Sequence, residues 1–408
     1  MAPPQPVPPV FHHHYSHFRP PLSISQPLTL LLLLLHSPSS ISSPPPHYQM
    51  GLSMVGMGGS VMLVLVAQLL MAGLVGVCEG QGLVPGVVIF GDSVVDVGNN
   101  NNRLTLVKAN FPPYGRDFVD HAPTGRFCNG KLATDFTVEN LGFTSYPPAY
   151  LSEQATGKNL LSGANFASGG AGYLDSTSTL YGAISLNQQL RNYKDYQSKV
   201  ERIAGKANAT ALFAGSIYVV SAGASDYVQN YYINPVLNRA YTPDQFADLV
   251  LQNFNTFSEA LYNLGARRIG VTSLPPLGCL PAVITLFGAG RNDCIARLNN
   301  DAIVFNKKLK AAGQALKRSH PKLKLVVFDI YNPLLDLIAH PENYGFFEAR
   351  KACCGTGTIE TSLLCNTRSP GTCANATGYV FWDSAHPTEA ANQVLSDAIL
   401  AQGIDLIS

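Results

Sequence analysis

The sequence predicts an α/β fold, a three-layer α/β/α sandwich around a mostly parallel central sheet. Two observations carry this. Four short apolar, β-branched runs occur at Val87–Phe90, Ile217–Val220, Ile269–Thr272 and Leu325–Phe328, and near-continuous apolar character suits strands buried on both faces of a parallel sheet. Between them fall longer stretches with helical periodicity, and strands alternating with helices place helices on both faces of one sheet.

The helices have local reasons. In Thr242-Pro-Asp-Gln245 the threonine is suited to cap, Pro243 fits the first turn, and Gln245 can return the capping bond. Phe246, Leu249, Phe254, Phe257, Leu261 and Leu264 then recur at helical spacing, and Gly265 ends the run. Ile295 to Leu316 repeats the pattern before Pro321, and a last helix is expected from about Thr388 to Leu400.

The 408 residues divide into two chains of different character near residue 80. All six Met lie at or before Met71, and Arg19 and Glu79 are the only charged side chains before Gln81. Residues 1–49 are rich in Pro, His and Ser, a composition that buries too little apolar surface to order itself, so they read as a disordered extension. Residues 50–80 hold an uncharged stretch from Ser60 to Val77 followed by Cys78-Glu-Gly80, which reads as a secretory signal peptide cut near Gly80. A membrane anchor is the competing reading, because the stretch is just long enough to span. A signal peptide belongs at a chain start, so translation from Met50 or Met54, with 1–49 a gene-model artefact, reconciles the two. Residues 81–408 then form a single domain of about 330 residues.

The net charge of +1 gives no basic face for nucleic acid. Seven cysteines follow the leader. Cys279 with Cys294 would close one short loop, and Cys353 or Cys354 with Cys365 or Cys373 another, leaving Cys128 as the odd thiol. Zinc is the weaker alternative, since no paired C-x-x-C arrangement occurs. Sequons at Asn208 and Asn375 agree with an oxidising, secreted location and mark glycosylation sites.

Ligands of such sheets sit at the carboxyl ends of the strands. The first run feeds directly into Gly91-Asp-Ser93, which puts a serine hydroxyl at that edge. The G-x-S-x-G nucleophile elbow is absent. Four histidines remain after residue 80, and His386 stands three residues after Asp383 on a turn entering the last helix. A carboxylate at that spacing can hold one imidazole nitrogen while the other faces a hydroxyl. Asn165-Phe-Ala-Ser-Gly169-Gly-Ala-Gly172 offers backbone N–H groups to an anion, and Ser221-Ala-Gly-Ala-Ser225-Asp226-Tyr227 is a second polar loop at the same edge.

In this order, Gly91-Asp-Ser93 with Asn100, Ser168-Gly169, Gly223-x-x-Asp226-Tyr227 and Asp383-x-x-His386 resemble the blocks of the plant GDSL esterase/lipase family, a branch of the SGNH hydrolases. Thr124-Gly-Arg-Phe127, Leu274-Pro-Pro-Leu-Gly-Cys279 and Cys353-Cys-Gly355 resemble the same branch, and the likeness spans about 85–403. The resemblance implies an SGNH-hydrolase fold and a secreted serine esterase acting on lipid, cutin-type or acetylated cell-wall esters. It implies Ser93 as nucleophile, His386 as base and then acid, Asp383 orienting it, and the N–H groups of Ser93 and Gly169 as oxyanion donors. It implies no metal and no organic cofactor, and no stable membrane insertion once the signal is removed; oligomeric state is not legible.

One position departs from the pattern. Where the family's third block carries Asn, whose side chain is a third oxyanion donor, this chain carries Ser225. Loss of such a donor costs about 3 kcal/mol, partly offset because a serine hydroxyl also donates. The departure motivates two alternatives, a weak or silent extracellular binding protein on the same scaffold and an acyltransferase using the same nucleophile.

Overall fold

The computed structural model describes residues 82–408; the expectations for 1–49 and 50–80 lie outside the described residues. Five parallel strands form the central sheet, β1 (Val87–Gly91), β2 (Gly163–Asn165), β3 (Ile217–Ser221), β4 (Arg268–Thr272) and β5 (Lys324–Phe328), in the order β2-β1-β3-β4-β5. Four of them extend the apolar runs by a residue. β2 was not anticipated, because Gly-Ala-Asn is three residues long and carries no apolar run. A separate parallel pair, β6 (Glu348–Ala352) with β7 (Tyr379–Phe381), was also missed, since Glu-Ala-Arg-Lys-Ala does not read as a buried strand.

Residue alternation along the strands builds the three layers. Val88, Phe90, Tyr218, Val220 and Ile269 point to one face, where Tyr193 and Tyr196 of α2 (Leu186–Ala204), Phe254 and Phe257 of α3 (Pro243–Asn263), and Phe305 of α4 (Ala296–Ser319) close the core. The Phe90 ring stacks on Phe166 at 5.1 Å and meets the edges of Tyr193 and Phe257. Val87, Ile89, Ile217 and Val219 point to the other face, against Val138 of α1 (Ala133–Asn140), Ile399 of α5 (Glu389–Gln402), and Leu141 and Leu406.

The caps are as the sequence requires. Thr242 Oγ accepts from the Gln245 N–H and Gln245 Oε1 accepts from the Thr242 N–H, a closed capping box at the start of α3. Thr388 caps α5 by accepting from the Ala391 N–H. Disulfides join Cys279–Cys294, Cys353–Cys373 and Cys354–Cys365, and Cys128 is buried and unpaired among the described residues. None of the helices described is long and apolar enough to cross a membrane.

Candidate active site

The site begins where β1 ends. Gly91 has φ +145, and a Cβ there would lie 1.9 Å from the Ser221 carbonyl oxygen. Glycine alone permits that approach, which lets the Asp92 N–H donate to Ser221 O at 3.0 Å and turns the chain at the sheet's carboxyl edge. Gln189 of α2 locks the turn: its Oε1 accepts from the Gly91 N–H and its Nε2 donates to Gly91 O. Ser93 follows, 5% exposed, and its own N–H has no acceptor among the described residues.

Residues 293 positions apart meet here. Ser93 Oγ lies 2.7 Å from His386 Nε2, and His386 Nδ1 lies 2.7 Å from Asp383 Oδ1. The turn after β7 sets this up: Asp383 Oδ1 also accepts the N–H groups of Ala385 and His386, a local bracket that fixes the imidazole over its own carboxylate. The Phe127 ring lies against the imidazole at 5.1 Å.

Asp383 is fully buried, which by itself opposes its charge. The adjacent imidazole, the Tyr114 hydroxyl and the backbone N–H bonds outweigh burial and hold the carboxyl below its ordinary value of 3.8. An ionised carboxylate only accepts, so His386 Nδ1 carries the proton and Nε2 is left as acceptor for the serine hydroxyl.

Two residues at this site were not foreseen. Tyr114 Oη donates to Asp383 Oδ2 at 2.6 Å and accepts from the Ser362 N–H at 2.7 Å. Thr361 Oγ1 donates to the same oxygen at 3.0 Å. Thr361 and Ser362 belong to the loop closed by Cys354–Cys365, and the Glu360 carbonyl of that loop accepts the Ser384 N–H. The disulfide loop therefore buttresses the Asp383 turn from outside. The one sequence hint was Pro112-Pro-Tyr-Gly115, a turn that carries a buried tyrosine.

The glycine-rich loop hangs on the same edge, with the Ser168 N–H donating to Gly91 O. Its internal bonding corrects one expectation. The Gly169 N–H is not open: it donates to Asp96 Oδ2 at 2.8 Å. Gly169 serves packing instead, because a Cβ there would lie 2.7 Å from the Phe127 ring. The neighbouring Gly170 is buried, and its N–H has no acceptor among the described residues. Asn100 fixes the loop by donating to the Gly169 carbonyl and accepting from Ser168 Oγ.

Ser225 is buried at the start of the helical turn after β3, and its hydroxyl has no hydrogen bond to the described residues. Asp226 beside it accepts from the Tyr173 and Leu174 N–H groups and from Thr177 Oγ1. Burial pushes three carboxyls around this edge upward, Asp92 to about 7 and Asp96 and Asp226 to about 6. Asn208 and Asn375 are exposed, on the Lys206–Gly215 helix and on the loop before β7. With all six clustered cysteines in disulfides, no thiolate set remains there for zinc.

A hydroxyl, imidazole and carboxylate joined in line at the carboxyl edge of a flavodoxin-like sheet place the molecule among the α/β hydrolytic enzymes. The comparisons narrow the class. Residues 87–399 match the GDSL-like Lipase/Acylhydrolase family. One GDSL esterase/lipase of Arabidopsis thaliana is 64% identical over 334 residues, covering 82% of this chain and 95% of the relative. A second from the same plant is 63% identical over 335 residues, with 81% and 92% covered. The Arabidopsis GDSL esterase/lipase APG is 59% identical over 326 residues, with 80% and 92% covered. The chain belongs to the GDSL-like lipase/acylhydrolase family.

Proposed function

We propose that this chain is a secreted esterase that hydrolyses carboxylic esters of lipid, cutin-type or acetylated cell-wall substrates through an acyl-enzyme on Ser93. The observation that carries the reading is the unbroken line from Ser93 Oγ through His386 to Asp383, with both links 2.7 Å.

In this reading Ser93 Oγ attacks the ester carbonyl carbon while His386 Nε2 takes its proton. Asp383 stabilises the resulting imidazolium without taking the proton itself. The tetrahedral oxyanion is received by the open N–H groups of Ser93 and Gly170, with the Ser225 hydroxyl as a third donor. The imidazolium then protonates the leaving alkoxide, the C–O bond breaks, and an acyl-serine and a free alcohol remain. Water, deprotonated by the same imidazole, attacks the acyl carbon to release the acid and restore Ser93. The printed names of the Arabidopsis relatives, GDSL esterase/lipase, support the same chemistry.

The test is turnover of p-nitrophenyl acetate and butyrate by the wild type and Ser93→Ala. The reading requires Ser93→Ala to fall to the background rate. Equal rates in the two proteins would leave a binding protein on a hydrolase scaffold, the alternative that Ser225 motivates. Product analysis with an added alcohol separates hydrolysis from acyl transfer, since both pass through one acyl-serine.

A further inference from the structure

Asp226 is a buried titratable group to which the mechanism above gives no task. It is fully buried, and burial pushes its carboxyl up to about 6, so the fold keeps an ionised group here at a cost to its own stability. Such groups cluster at functional sites.

What the carboxylate holds is the glycine-rich loop. Oδ2 accepts the Tyr173 N–H at 2.7 Å, and Oδ1 accepts the Leu174 N–H at 3.2 Å and the Thr177 hydroxyl at 2.6 Å. A Cβ on Gly172 would collide with the same carboxylate, so the loop lies directly against it. Asp96 holds the other end through the Gly169 N–H at 2.8 Å. Gly170 stands between these two anchors. The Ala171 N–H donates to Ser168 O and closes a turn, and Gly170 takes φ +85 at its third position, as a type II turn requires. The Gly169 carbonyl accepts from Asn100 Nδ2. The C=O and N–H of a planar trans peptide point opposite ways, so the Gly170 N–H is aimed away from Asn100.

The backbone of Asp226 supplies the other half of the connection. It directly follows Ser225, the third oxyanion donor, at the exit of β3. One residue therefore ties the β3 loop, through its backbone, to the glycine-rich loop, through its side chain. We infer that Asp226 is a positioning residue of the oxyanion hole, setting the spacing between the Gly170 N–H and the Ser225 hydroxyl. This rests on the esterase reading above and deepens it. A misplacement of about 1 Å at such a site costs about a hundredfold in rate.

The competing role is purely structural: the short helix Asp175–Tyr181 has no side-chain cap of its own, and Asp226 serves as one. The experiment separates the two roles. It compares p-nitrophenyl butyrate with its thiono analogue, in which sulfur replaces the carbonyl oxygen, in wild type, Asp226→Asn and Tyr114→Phe. Sulfur is a weak acceptor, so donors placed for an oxyanion favour the oxygen ester. Asp226→Asn keeps the side chain's shape but turns an amide N–H towards a donor. Its kcat should fall by about tenfold to a hundredfold with KM within about twofold, and its oxygen-to-sulfur ratio of kcat/KM should fall about tenfold. Tyr114→Phe acts through Asp383, so it should slow both esters alike and leave the ratio unchanged. A ratio within about twofold of wild type in Asp226→Asn, whether or not Tm falls, would overturn the inference. Should that chain not fold, Thr177→Val, which removes one of the three bonds, carries the test: its ratio should fall about threefold, and an unmoved ratio would overturn the inference. A wild type that cleaves neither ester rejects the esterase reading and the inference with it. Cleavage by wild type beside an inert Ser93→Ala, with an unmoved ratio in Asp226→Asn, keeps that reading and rejects the role of Asp226.

Discussion

Replacing Tyr114 by Phe removes one oxygen from the site and little else. The ring is 1% exposed and keeps its edge contacts with Phe127 and Trp382. What goes is the bond to Asp383 Oδ2 at 2.6 Å, together with the acceptor of the Ser362 N–H. A hydrogen bond to a charged group is worth about 1.5–3 kcal/mol. Thr361, Ala385 and His386 still hold the carboxylate, so part of that is retained. We expect kcat/KM to fall about tenfold, corresponding to about 1.4 kcal/mol, with most of the loss in kcat. The pH profile is the sharper readout. Asp383 is held below its ordinary value partly by this hydroxyl, so losing it raises the carboxyl pKa. A depressed carboxylate contributes above its unfolded value and is lost as pH falls through the folded one. The stability lost in the variant, followed as Tm from about pH 2 to pH 8, is therefore full above about pH 4 and shrinks as pH falls below it. A profile superimposable on the wild type, with rates within about twofold, would refute the assignment of Tyr114 as a positioning residue.

Other outcomes follow from the same structure. Ser225→Asn restores a longer side-chain donor, and kcat on short esters should rise by about tenfold to a hundredfold; no rise would remove Ser225 from the account of the oxyanion. Asp92→Asn should stabilise the protein at pH 8. The Asp92 carboxyl rises from 3.8 to about 7 by burial, so its ionised form is disfavoured in the fold by about 4 kcal/mol at most. That difference is largest above pH 7 and vanishes towards pH 4, and Tm measured across this window checks both size and sign. Arg126 and Asp135 form a buried bidentate pair, with two 2.8 Å bonds. Asp135→Ala should cost about 3–5 kcal/mol by chemical denaturation, because it leaves a buried guanidinium uncompensated.

What could be read from the sequence divides along physical lines. β1, β3, β4 and β5 were legible because burial on both faces demands continuous apolar residues, and α3 because its cap and its apolar stripe agree. β2 was not, because Gly163-Ala-Asn165 is held by pairing with β1 and by Asn165 Nδ2 donating to Val95 O rather than by its composition. Ser93, Asp383 and His386 stood out because each sits in a short motif. Tyr114 and Thr361 did not: Tyr114 lies 269 residues from Asp383, and only the folded chain brings them together. Gly169 shows the opposite limit. Its motif pointed to a free N–H, but a buried carboxylate 73 residues away, Asp96, accepts that bond and leaves Gly170 open.

The central claim is that Ser93 is activated by His386 and becomes acylated. Labelling the native protein with a fluorophosphonate and mapping the adduct by peptide mass spectrometry addresses it most directly. The account predicts stoichiometric modification at Ser93, parallel loss of esterase activity, and no labelling in His386→Ala. Full inhibition with the adduct on another residue, or an unlabelled Ser93 in an active enzyme, would contradict it.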